Sequence, residues 1–287
     1  MKLLRYGPKG SEKPALVDAQ GKVRDLSSVL PDITAQTLTP SSLKRLRELD
    51  ISSLPVVANP GRMAPPWSGC GKFVAVGLNY ADHAAESGLA IPKEPVLFMK
   101  TTSCIVGCND AIVLPKGSVK GDWEVELGIV IGSKTRYVSK AEALAHVAGY
   151  CVVNDVSERE YQVERGGQWD KGKGCDTFGP IGPWLVTTDE VPDPQNLAMQ
   201  LDLNGKPQQS GNTATMIFGV AHIVSYISEF MTLYPGDLIT TGTPPGVGMG
   251  MKPPTYLKAG DTMKVTIQGL GEQNQKVHAW SAELIDN

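Results

Sequence analysis

A mainly β fold of the α+β class, with a β-sandwich or barrel-like core, is predicted by three observations. From Lys72 onward, over 200 residues consist mostly of short apolar runs separated by Gly and Pro. Only two longer stretches carry a helical period. The run Leu127 to Ile131 is apolar at every position, as in a strand covered on both faces.

Taken in order, residues 1–66 read as a small N-terminal α+β domain with a linker, and 67–287 as the main domain. The first part holds strand-like runs at 2–6 and 15–17, punctuated by Gly7-Pro8, Gly10 and Gly21. A helix follows, with Thr39 as N-cap, Pro40 at its first position, and Leu43, Leu46 and Leu49 on one side. The segment 59–66 (Asn-Pro-Gly-Arg-Met-Ala-Pro-Pro) is a linker by composition. In the main domain, Ser139 and Glu142 form a capping box that opens a helix expected to stop near Gly149. A second helix is expected over 214–231, with Met216, Val220, Ile223, Ile227 and Phe230 as its apolar stripe. His222 within it reads as a packed residue.

Composition narrows the function. At 287 residues, 41% hydrophobic and 20% charged, the chain has the make-up of a soluble enzyme. A net charge of −3 with dispersed Lys and Arg gives no footprint for nucleic acid or an anionic membrane. The apolar runs are too short to span a bilayer, and the N-terminus turns polar before a signal-peptide core forms. Five cysteines (70, 104, 108, 151 and 175) include no Cys-x-x-Cys pair, which suits reduced thiols in a cytoplasm.

The chemistry concentrates in acids. Glu124 and Glu126 are two apart at the start of the apolar strand, so their side chains share a face. Two anions side by side at a buried strand demand a counter-charge, which a divalent cation supplies; an exposed strand end with a solvated acidic face is the alternative. Asp155 ends another apolar run, 148–154, and completes a set of three carboxylates without Cys or His. Such an all-oxygen set suits Mg²⁺ or Mn²⁺ rather than Zn²⁺. His83 and Glu86, at i and i+3 on a short helix, share a face; a carboxylate beside an imidazole raises its basicity toward water. A surface ion pair gives the same spacing. The small segment 79–95 has the make-up of a lid. Lys173, between two glycines, has room for a ligand's approach and a charge suited to an enolate or carboxylate, or is a solvated loop lysine. The turn 240–248 lacks the Gly-Lys-Ser/Thr ending of a phosphate loop, and 246–250 fails the dinucleotide fingerprint.

Together these stretches resemble the fumarylacetoacetate hydrolase family. The carrying motifs, in family order, are Gly77-Leu78-Asn79-Tyr80 with His83 and Glu86, then Glu124-x-Glu126. Asn154-Asp155-Val156-Ser157 with Arg159 and Gln162 comes next, then Lys173-Gly-Cys-Asp-Thr-Phe, and Gly236-Asp237 with Thr241-Gly242-Thr243-Pro244. The resemblance covers about residues 70–285. It implies a mixed β-sandwich roll, a homodimer, and Mg²⁺ or Mn²⁺ held by Glu124, Glu126 and Asp155. It further implies a water-activating dyad of His83 and Glu86, and an oxo-acid substrate held by Arg159, Gln162, Lys173 and Thr243. Cys175 replaces an apolar residue of many relatives, which should affect pocket shape only. The subgroup most resembled is labelled ureidoglycolate lyase, and some members hydrolyse 2,4-diketo-3-deoxy sugar acids such as the L-rhamnonate and L-fuconate derivatives. A 2,4-dioxo acid accounts for every motif: its C3–C4 bond breaks to give pyruvate. Ureidoglycolate needs no enolate and fits less well. A decarboxylase or isomerase with the same enolate chemistry is the family alternative, and a silent metal- or ligand-binding protein the non-enzymatic one.

Overall fold

The computed structural model of the protein describes residues 1–82 and 90–286. Strands dominate it. The main path of a large mixed sheet runs in the order Val23–Asp25, Lys13–Val17, Lys2–Tyr6, Leu185–Thr187, Val147–Asn154, Val125–Ile131, Leu238–Thr240, Phe73–Gly77 and Val96–Lys100. A second, five-stranded sheet is ordered Lys206–Asn212, Ala198–Leu203, Thr262–Ile267, Gly271–His278 and Ile112–Val113.

The apolar strand Val125–Ile131 is buried at every position. Leu127, Ile129 and Ile131 pack with Met199, Leu201, Val265 and Ile267 of the five-stranded sheet. On the opposite face, Val130 packs with Leu3, Leu16, Leu43 and Leu46 from the N-terminal residues. Two cores therefore share one strand, which is why its sequence lacks alternation.

The N-terminal helix spans Pro40–Arg47 with Thr39 as its N-cap and buries Leu43 and Leu46. Residues 1–66, expected as a unit of their own, extend the main sheet: Lys2–Tyr6 pairs antiparallel with Leu185–Thr187 through Lys2↔Val186 and Leu3↔Leu185.

Both longer helices are shorter than expected. The capping box of Ser139 and Glu142 is present, but the helix covers only Lys140–Ala143. A 3₁₀ turn follows, and the strand starts at Val147, because the β-branched run after it is drawn into the ladder with Val125–Ile131. The second helix spans Val220–Phe230, not 214–231. Asn79 claims the backbone before it: Ile217 N–H donates to the Asn79 carbonyl at 2.8 Å, and Phe218 N–H to its Oδ1 at 2.8 Å. Phe230, expected on the buried stripe, is 57% exposed. His222 packs edge-on between Phe218 and Tyr226, as a packed residue should.

Register places the site. Val125 faces Asn154 and Gly128 faces Thr240, both antiparallel, while Thr240 faces Ala75 in parallel. The start of the Val125–Ile131 strand and the ends of its two neighbours therefore emerge together, bringing 124–126, 155 and 241–243 to one end of the sheet.

Candidate active site

Glu124, Glu126 and Asp155 come together there. All three are buried, at 5%, 2% and 0% exposure, and offer carboxylate oxygens within 4.8 Å of one another. The alternative of a solvated acidic strand end is thus ruled out by burial.

What makes three buried acids tolerable is a chain of alternating charge. Asp122 Oδ2 accepts from Arg159 Nε at 2.7 Å, and Arg159 Nη2 lies 2.8 Å from Glu124 Oε1. Glu124 Oε2 accepts from Lys173 Nζ at 2.7 Å, and the same ammonium donates to Asp155 Oδ2 at 2.9 Å. Asp155 Oδ1 lies 2.6 Å from Lys100 Nζ, which also donates to the backbone carbonyls of Lys173 and Val156. Burial alone would lower the affinity of Lys100 and Arg159 for their protons, but Asp155 beside the first, and Asp122 and Glu124 beside the second, hold both above their ordinary values.

Glu126 is different. Its Oε2 accepts from Thr240 Oγ1 at 2.5 Å and from the Gly242 N–H at 2.7 Å. Burial, reinforced by the Asp155 and Glu124 charges, pushes its carboxyl well above the usual range. With Glu126 ionised, the chain and Glu126 together count four carboxylates against three cations, leaving one negative charge in excess. A divalent cation would turn that excess into a single positive charge, matching an oxo-acid monoanion. The donor set is all oxygen and hard, so the residues present fit Mg²⁺ or Mn²⁺.

Glu124, Glu126, Arg159, Gln162, Lys173 and Thr243 line one cavity of about 240 Å³; Asp155 lies behind it, fully buried. Gln162 Oε1 accepts from Arg159 Nη1 at 2.9 Å, which orients the guanidinium. Thr243 Oγ1 donates to the Val125 carbonyl at 2.9 Å and accepts from Gln209 Nε2 at 2.7 Å. His83 and Glu86 lie outside the described residues.

Several expectations change. Lys173 is no solvated loop lysine: it is 2% exposed, at the end of the short helix Asp170–Lys173. Its flanking glycines make room for protein, not for a ligand. A Cβ on Gly172 would lie 2.2 Å from the Glu158 carbonyl oxygen, and one on Gly174 would lie 2.9 Å from Thr101 Cγ2. Cys175 is not among the residues lining the cavity; it borders a separate hollow with Trp280, so it does not set the pocket's shape. N–H groups of the 240–248 turn are spent on carboxylates: Gly242 on Glu126, and Gly248 on Asp122 Oδ1 at 2.7 Å.

Sequence reasoning missed Asp122, Lys100 and Thr240. Asp122 repeats the spacing of two that links Glu124 and Glu126, a signal that could have found it. Lys100 ends the apolar run Val96–Met99, where a strand-closing lysine is usually solvated, and gives no such sign.

Comparison with known proteins bears on the family and the fold. Residues 72–278 match the family described as fumarylacetoacetate (FAA) hydrolase C-terminal. A Burkholderia cenocepacia protein, a hydrolase by name with no substrate in the name, is 62% identical over 96% of this chain and 98% of its own length. Among solved structures, the fumarylacetoacetate hydrolase of the psychrophile Exiguobacterium antarcticum is 36% identical with a TM-score of 0.85, over 98% of this chain and 100% of that one. A probable 2-hydroxyhepta-2,4-diene-1,7-dioate isomerase of Mycobacterium abscessus is 31% identical with a TM-score of 0.83, over the same shares.

Proposed function

Since this chain belongs to the fumarylacetoacetate hydrolase family, we propose that it is a metal-dependent hydrolase that cleaves the C3–C4 bond of a 2,4-dioxo acid. The observation carrying this reading is Lys173: one buried ammonium touches two of the three acids and lines the cavity in which a substrate would lie. A divalent cation held by Glu124, Glu126 and Asp155 would supply Lewis-acid chemistry toward the C1 carboxylate and C2 oxygen.

The chain's own residues account for the rest. Arg159, oriented by Gln162 and Asp122, offers a charge to the oxo-acid end. His83, supported by Glu86, takes a proton from water, whose oxygen adds to C4; this assignment rests on the family resemblance. As C3–C4 breaks, its electron pair passes into the pyruvate enolate, which Lys173 is placed to stabilise. A proton then returns to C3, giving pyruvate and a carboxylic acid.

The test is pyruvate release from 2,4-dioxopentanoate with Mg²⁺. Chelation should abolish it, added Mg²⁺ or Mn²⁺ should restore it, and undiminished turnover in chelated protein would refute the reading. His83→Ala should lower kcat by about 10²–10⁴-fold while leaving oxalate binding nearly unchanged. If an enolate-forming reaction such as oxaloacetate decarboxylation survives in that variant while hydrolysis is lost, the same scaffold also serves decarboxylase chemistry, or isomerase chemistry of the kind in the Mycobacterium abscessus neighbour's name.

A further inference from the structure

Apart from the floor of acids, Arg159, Gln162, Lys173 and Thr243, the side chains lining the cavity among the described residues are apolar: Val76, Leu78, Phe98, Val163, Trp169 and Met249. This wall is built, not incidental. The Phe98 ring lies 5.3 Å from Lys173 Nζ, so it starts where the charged floor stops. Trp169 meets Phe98 edge-on, with ring centroids 5.3 Å apart and planes at 63°. It occupies space that only a glycine at 77 leaves open, since a Cβ there would lie 2.5 Å from Trp169 Cζ3. Leu78 holds a left-handed backbone (φ 53°), a strained conformation for a leucine and one that recurs at ligand sites.

The hydrogen-bonding capacity is concentrated elsewhere. Glu126 is held by Thr240 and Gly242, Thr243 by Val125 and Gln209, and Arg159 and Lys173 by the acids. Among the described residues, the wall's side chains offer one donor, the indole N–H of Trp169. Against these described side chains, a tail bearing several hydroxyls would leave most of them without partners, each at a cost comparable to a lost hydrogen bond. A hydrocarbon tail would meet surface of its own kind.

Resting on the 2,4-dioxo-acid reading, we infer that the group beyond C4 is alkyl or aryl, so that the substrate is an apolar acylpyruvate rather than a polyhydroxylated sugar acid. The sugar-acid expectation rests on the subgroup resemblance alone, and these wall residues speak against it.

The Mg²⁺-loaded full chain should be assayed for pyruvate release from 2,4-dioxopentanoate, -hexanoate and -heptanoate, 2,4-dioxo-4-phenylbutanoate, and 5,6-dihydroxy-2,4-dioxohexanoate. Each added methylene should raise kcat/KM about three- to fourfold until the wall is covered. The dihydroxy acid should fall at least about tenfold below the hexanoate. Calorimetric binding of N-methyl- to N-butyl-oxamate and N-(2-hydroxyethyl)oxamate, which present an oxo-acid end without turnover, separates the two readings. If no dioxo acid releases pyruvate yet oxamate affinity climbs with tail length, the reaction assignment fails and the apolar tail stands. A flat or falling oxamate series, no binding by any member, or a preference for the hydroxylated compounds overturns the inference.

Discussion

Lys100 shows how much one unremarked residue carries. Its ammonium is fully buried, pairs with Asp155 Oδ1 at 2.6 Å, and holds the carbonyl of Lys173. Lys100→Met keeps the volume and deletes the charge, so the metal-free variant should lose about 3–5 kcal/mol, the usual cost of breaking a buried pair. Saturating Mg²⁺ should raise its Tm more than it raises that of the wild type, because the cation replaces the missing positive charge; an unchanged Tm would count against this. Glu126 makes a second test. Its folded-state carboxyl binds its proton more tightly than the unfolded one, so the metal-free protein is most stable with Glu126 protonated. That stability is lost as pH rises from the ordinary carboxylate value of 4.5 through the raised folded value. Mg²⁺ requires the ionised form, so the Mg²⁺-induced rise in Tm should grow with pH across that window. Thermal melts at several pH values, with and without Mg²⁺, would reveal a flat response if Glu126 were no ligand.

At the level of elements, the cluster of three acids was legible because strand alternation is local: Glu124-x-Glu126 on a strand fixes a shared face, and Asp155 is marked by the end of an apolar run. The cations were not equally legible. Lys173 ends a short helix and Arg159 caps the π-helical turn Glu160–Glu164, both placed by packing, and Lys100 looks like any lysine that closes a strand. Helix lengths failed for a related reason, since Val147 and Ile217 are captured by partners distant in sequence. The glycine at 172 now has a definite role. It lets the Asp170–Lys173 helix lie against the segment carrying Arg159 and Gln162, where a Cβ would meet Glu158 O at 2.2 Å and Gln162 N at 2.6 Å. Gly172→Ala should therefore push Lys173 away from the acids, lowering stability by about 1–3 kcal/mol and kcat/KM at least tenfold. Wild-type kinetics in that variant would mean that the helix can shift without moving Lys173.

Across the whole molecule, the sheet that presents the acids is clamped between two cores, and one of them is supplied largely by the N-terminal residues. Leu3, Leu16, Leu43 and Leu46 cover the face that carries Val130, Cys151, Val153 and Leu238. Polar ties reinforce the contact: the Met1 amino group donates to Thr187 Oγ1 at 2.6 Å, Arg62 pairs with Asp110 at 2.7 Å, and the Trp67 indole donates to the Gly236 carbonyl at 2.9 Å. Composition marks 59–66 as a linker, because Pro and Gly break regular structure there, but composition says nothing about which face of which strand the preceding leucines will cover. That information lies in the missing alternation of the 125–131 strand, which demands a second cover without naming it. The shared core makes a prediction about cooperativity. Near-ultraviolet and far-ultraviolet melts of the intact protein should coincide in a single transition, since residues 1–57 and the strands that present the acids cannot unfold separately without exposing Val130 and its neighbours to water. Deleting residues 1–57 should uncover that apolar face and yield an aggregating or molten chain that no longer binds Mg²⁺ tightly. Two separated transitions in the intact protein, or a truncated chain that stays monodisperse and binds Mg²⁺ as the full chain does, would show that the site's scaffold stands without its second core.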